Sequence, residues 1–386
     1  SPELGAKFRR CEEYQLDIKA IQNQLAVKSQ AQQSIEMELN LNNRKVKFQF
    51  FEYNMFKPTA KLRTSPTPNA PTYDINPSIR TFRGSVFEDG GGIAALTIAD
   101  NYFLLAYKVD GETYYLEPTM INQSMNTNGR LTFYDIADII PVAGVYCGAE
   151  QVEKFGHDHD PSEVNPNDSR NKACFDVPIA LACDYKFVRL TGSVAMAEAV
   201  MTGFLNLTQT DWEGQDLQYE YFYGITDLFA PDDILRDPWA TTTDIFTHLN
   251  IFQMAGPVIF SGGYAVATAW TFNYTSGAVG VAFLNAVCTG NRYNVCSHFS
   301  NSSNIARQTQ SHELGHNFSA QHDAPGGYIM DPSVNGSTIW SIASNRSIKM
   351  YTDFNAGCLL PCSTPNAVPD VKFKATPSRG CRPLVV

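Results

Sequence analysis

Residues 311–323 read SHELGHNFSAQHD. His312 and His316 are four apart. On a helix this spacing puts both imidazoles on one face, about 5–6 Å apart at Cβ. That suits two of the three protein ligands of a catalytic zinc, with a position left for water. Glu313 follows the first His, beside such a metal, where a carboxylate can take the proton of an attacking water. His322 comes six residues after His316 and reaches the same ion only if the helix ends soon and the chain turns back. Met330 lies eight residues further on, in GGYIMDP (326–332), where Gly326, Gly327 and Pro332 supply a tight turn. A bare His-Glu-x-x-His match can be a solvated helical face. The third His, the Asp after it and the turn leave little room for coincidence.

Together these motifs resemble the metzincin zinc endopeptidases. Asp323, directly after the third His, resembles the reprolysin and ADAM branch. Pro332 stands where the astacin and serralysin branches have a Tyr. GAVGVAFLNAVC (277–288) looks like the family's cleft-edge strand, and SNRSIKMYTDFNAGCL (344–359) like its closing helix. The resemblance implies a mixed α+β catalytic domain over 174–362, with a twisted β-sheet, an active-site helix and a Met-turn. It implies zinc held by His312, His316 and His322, Glu313 as general base and Met330 beneath the metal. Substrate would pair as an added strand along Gly280, Val281 and Ala282, with Pro332, Ser333 and Val334 beside the S1′ pocket. It also pairs Cys288 with Cys358.

One position departs from the family pattern. Ser319 stands where the family has Gly, at the point where the helix must break. Gly is favoured there because the backbone takes φ > 0, and Ser in that conformation costs on the order of 1–2 kcal/mol. No ligand is lost, so metal binding is expected to survive.

The first half resembles the same family more weakly. VKFQFFEYNMF (46–56) and FRGSVFEDGGGIAALTIADNYFLLAYKVDGETYYLEP (82–118) are similar to a reprolysin-type propeptide. Such propeptides end near a Cys-Gly that acts as a cysteine switch, and Cys147-Gly148 stands in that place. A thiolate is a strong zinc ligand. Cys147 in a structural disulfide is the alternative. Read from the residues alone, 34–56 alternates as a β-hairpin around LNNRK, 63–79 is a Pro- and Asn-rich loop, and 81–118 holds four short strands. The expected organisation is a mostly β prodomain-like part (1–150), a polar linker (151–173), the catalytic domain (174–362) and a Pro-rich tail (363–386).

Composition sets the outer limits. At 386 residues the chain has room for about two domains. Its charge of −10 excludes a basic nucleic-acid footprint. The longest uncharged run, Ile245 to Asn291, is broken by Gly, Ser, Asn and Pro, so no membrane span is expected. Nine cysteines fit an oxidising compartment, and with Cys147 set aside eight remain for four bridges. Glycosylation sequons stand at Asn122, Asn167, Asn206, Asn273, Asn301, Asn335 and Asn345. An eighth, Asn317, lies inside the expected active-site helix and is not expected to carry a glycan. The chain opens with Ser1, read as a processed start, so a missing leader does not argue for the cytosol. His157 and His159 read as linker, and His248 and His298 as structural. The expected function is a secreted or cell-surface zinc endopeptidase, latent behind its propeptide, acting on protein or peptide substrates and open to extracellular assembly partners. The competing reading is a catalytically silent structural or adhesive protein of the same descent.

Overall fold

The computed structural model describes residues 2–29, 34–87, 92–109, 111–121, 124–125, 129–149, 173–214, 217–275, 277–300 and 302–362. The linker 151–172, the tail 363–386, Asn122, Asn167, Asn301, His157 and His159 lie outside them.

The alternating 34–56 stretch forms the expected hairpin, Ile35–Leu41 against Arg44–Glu52. Asn42 and Asn43 make its turn at φ 49° and 57°, a conformation Asn tolerates. The four strands expected after it are Arg80–Val86, Ile93–Ala99, Tyr102–Val109 and Glu112–Pro118. With Arg130–Asp135 and Glu12–Gln15 they complete an eight-stranded antiparallel sheet.

The second sheet is mixed. At its centre Cys174–Cys183 lies parallel to both Glu220–Phe229 and Val266–Thr271. Beyond these run Tyr293–Ser297 and Gly277–Ala282. Both outer positions belong to the first half. Phe56–Arg63 pairs with Glu220–Phe229 and carries Thr72–Asp74 outside it. At the far side, Val145–Cys147 pairs parallel with Gly277–Ala282. Three strands of residues 1–150 thus belong to the second sheet, so the expected boundary near 150 does not separate the two sheets. The strand 277–282, the expected substrate edge, carries the chain's own 145–147 beside it.

Helices flank the second sheet on both faces. Ile245–Ile259 packs on one face in a core with Trp239, Phe252 and Tyr293. Val194–Trp212 lies on the other, between the two sheets. It is buried nearly all round, its polar Glu198, Asn206, Gln209 and Asp211 included. Its Asn206 is wholly buried and donates to Leu96 O and Thr97 Oγ1, so the expected glycan at that position has no room. Among the described residues no single helix is long and apolar enough to cross a membrane.

Cys288–Cys358 forms as expected, and Cys174–Cys362 is a second bridge. Four bridges do not form among the described residues, where Cys11, Cys147, Cys183 and Cys296 carry free thiols. Cys183 and Cys296 sit on strands with Val266–Thr271 between them. That puts them about 9–10 Å apart, too far for a bridge.

Candidate metal centre and cleft

The helix Ser303–Asn317 is buried along its whole length and carries His312, Glu313 and His316. It ends where the sequence required. Ser319 has φ 81°, its N–H bonds His316 O, and the chain turns back to bring His322 in. The Nε2 atoms of the three histidines then lie 3.0, 3.2 and 3.3 Å apart. Cys147 Sγ is 3.4 Å from His316 Nε2, and all four donor atoms fall within 4.8 Å of one another.

These four donors fit a zinc ion. Zn–N bonds of about 2.0–2.1 Å at tetrahedral angles place nitrogens about 3.3 Å apart and a sulfur about 3.5 Å from a nitrogen, the spacings seen among the three histidines and between Cys147 and His316. Tautomers agree. His312 Nδ1 donates to Ile329 O and His316 Nδ1 to Ala320 O, each at 2.7 Å, which leaves both Nε2 lone pairs facing each other. Two lone pairs at 3.0 Å repel unless a cation lies between them. Burial lowers His312 to about 3 and His316 well below the usual imidazole range, so both rings are in the neutral, ligating form. The Cys147 thiol is raised well above its ordinary range by burial, with the Glu313 charge adding to it. A cation among the donors reverses that balance, because coordination takes the thiolate.

Glu313 occupies space that only glycine leaves open. A Cβ on Gly280 would stand 2.1 Å from Glu313 Oε1. Burial pushes the Glu313 carboxyl up to about 8, with its hydrogen bond to Cys147 pulling the other way. Below the helix, Gly315 admits Met330: a Cβ there would lie 2.6 Å from the Met330 sulfur. The turn is held by Asp331, which accepts from the backbone N–H groups of Gly326, Gly327 and Tyr328. Asp323 accepts from Ser341 Oγ and Ser344 Oγ, tying the third-His loop to the start of the helix Ile342–Asn355.

The segment around Cys147 lies in the cleft between its two expected walls. Cys147 N–H donates to Pro332 O at 3.0 Å, and Gly148 N–H to Gly280 O at 2.8 Å. Gly280, paired with Cys147, is buried, as are Val281 and Ala282, and Val334 lines the narrow cavity that remains beside Thr309 and His312. Ser333 faces solvent. Asn273, Asn335 and Asn345 are at least partly exposed. His248 and His298 are buried and belong to no metal-ligating cluster among the described residues.

Residues 176–354 match the family model Reprolysin_5, Metallo-peptidase family M12. The metallopeptidase reading of this half thus has support independent of the geometry. The crystal structure of metalloproteinase-II from Bacteroides fragilis is similar over 87% of this chain and 96% of that one, with TM-score 0.52 and 10% identity. At that identity the likeness shows the fold alone, and it spans both halves. The crystal structure of an archaemetzincin from Methanopyrus kandleri is similar over 49% of this chain and 99% of that one, at 13% identity and TM-score 0.33, too low to carry an argument. No curated protein sequence matches the chain.

Sequence reasoning missed the groups that hold the metallopeptidase helix in place. Arg307, fully buried, pairs with Asp211 of Val194–Trp212 and donates to Gly336 O and Ser337 O. Ser311 donates to the same Asp211. At the helix start, Ser302 makes no side-chain cap of its own. Glu117 of the first sheet accepts from Ser303 N–H at 2.8 Å and from Tyr134 Oη at 2.9 Å. A partner 186 residues away leaves no local signal.

Proposed function

We propose that this protein is a zinc-dependent endopeptidase of the reprolysin/ADAM-like branch, secreted or cell-surface, here in a latent form closed by its own Cys147. The observation that carries the reading is the convergence of three histidine Nε2 atoms on one point with Glu313 beside them and a thiol in the fourth place. When bound, a zinc ion polarises the scissile carbonyl and makes water acidic enough to attack at neutral pH. His312, His316 and His322 would hold it, their rings fixed by Ile329 O, Ala320 O and the turn at Ser319. Glu313 takes the proton of the attacking water and returns it to the leaving amine. A substrate of extended peptide would add as a strand to Gly277–Ala282, once 145–148 has left it. Asn273, Asn335 and Asn345 stay as proposed glycan sites.

The test is zinc content together with cleavage of a broad peptide library, before and after a cut within 150–172. Expected are one zinc per chain and activity that rises on cutting. Glu313→Gln should keep the zinc and lose about 10²–10⁴-fold in rate. Undiminished cleavage by the zinc-loaded Gln variant would remove Glu313 from its role, and silence of the cut wild type would favour the structural protein.

A further inference from the structure

Two kinds of contact join the first half to the metal-binding half, and they differ in depth. The segment Val145–Cys147 packs in a small cluster of its own, with Cys147, Ala149 and Leu284. The rest of the first half shares the main core. Tyr102, Leu104, Tyr115 and Tyr134 of the first sheet lie in one continuous apolar cluster with Met201, Phe204, Trp212 and Leu314. Phe56–Arg63 is a strand of the second sheet, joined at its ends by Ile225 N–H to Met55 O (2.7 Å) and Ala230 N–H to Arg63 O (3.0 Å). Glu117 supplies the missing N-cap of the helix that carries the histidines, and Tyr134 and Tyr115 reach Ser302 and Asn304 beside it. A helix start buried without a cap leaves orphan N–H groups, so the metal-binding helix is incomplete without the first half.

We propose that the first half is a lasting subunit of the site rather than a removable cover. A cut within 150–172 frees the 145–148 segment to leave the cleft, while the remainder of the first half stays docked with Glu117 on the helix. For the meaning of the cut, though not for the docking itself, this rests on the peptidase reading above. Removal of the whole first half would strip the strand Glu220–Phe229 of its neighbour, open the common core and uncap the helix at once. An exposed, apolar strand edge of that kind invites aggregation.

A recognition sequence for a specific protease, placed within 150–172, makes the test clean. No disulfide among the described residues joins the halves, so co-elution after the cut reads non-covalent docking. The expected result is that both fragments elute together at the mass of the intact chain, in size exclusion and in native mass spectrometry. Glu117→Ala should weaken that pairing about tenfold, the factor expected for a buried hydrogen-bonded carboxylate. Glu117→Gln, which keeps an acceptor for Ser303 N–H, should restore most of it. A metal-binding fragment that elutes alone, stays folded and holds zinc overturns the proposal, as does undiminished pairing in the Ala variant. Failure of the peptidase reading looks different: neither cut nor uncut protein cleaves peptides, while the fragments still travel together.

Discussion

The two edges of the second sheet are both closed by strands of the first half, and the closures are unlike. On one side Val145–Cys147 covers Gly277–Ala282 with three residues and a bulge, and its thiol reaches the histidines. On the other, Phe56–Arg63 lies against Glu220–Phe229, is backed by Thr72–Asp74, and joins the common core through Leu62. The short closure depends on a few backbone hydrogen bonds and one side chain. The long one is part of the fold. The same sheet thus has one edge closed by a short, shallow strand and one closed by a strand rooted in the common core.

The sharpest way to break this contrast is Cys147→Ser. If the short edge is held mainly through the thiol, the uncut variant should cleave peptides about a hundredfold faster than uncut wild type, because the hydroxyl is a far poorer zinc ligand. An unchanged rate would mean that the backbone pairing alone closes the cleft. The long edge is probed by pH. Burial raises Glu117 to about 7, against hydrogen bonds from Ser303 and Tyr134 and the charge of Lys7. Its folded pKa lies above the unfolded value near 4.5, so its contribution to docking is present in acid and lost as pH rises through about 7. Between pH 6 and pH 8 the association of the cut halves should weaken about tenfold from this group, and Glu117→Gln should flatten that slope. A slope unchanged in the Gln variant would assign the effect to other buried carboxyls. The smallest effect belongs to Ser319→Gly. Relief of the φ 81° strain should add about 1 kcal/mol to stability, read by denaturant unfolding. Uncut activity should not change, and a change would tie the third-His loop to the short edge.

Local chemistry was legible in the sequence, and partnership between distant strands was not. The three histidines, Glu313 and the positive φ at Ser319 follow from spacing and from the need to turn after His316. The family resemblance pointed to Cys147, which lies beside the three histidines, and to the Cys288–Cys358 bridge, which forms. Alternation identified 34–56 and 81–118 as strands, because side chains that point to opposite faces leave a period of two. It said nothing of which sheet a strand joins. Phe56–Arg63 precedes a Pro-rich loop and follows a hairpin of the first sheet, yet it pairs with residues some 165 positions later. Parity of the cysteines misled in the same way, since Cys183 and Cys296 are kept apart by an intervening strand. The sequon at Asn206 was a pattern without a surface.

The cap on the metal-binding helix also imposes an order of assembly. Synthesis proceeds from the N-terminus, and Glu117 is made 186 residues before the Ser303 it will bond. The antiparallel sheet that holds Glu117 needs only contacts within residues 12–135, so it can form early. The helix that bears the histidines is assembled against it much later. Pairings this far apart along the chain fold slowly and expose partly formed surfaces on the way. The first half can therefore serve as a template for the nascent metal-binding half, and chains that lose it would fail first in yield, before any assay of their chemistry.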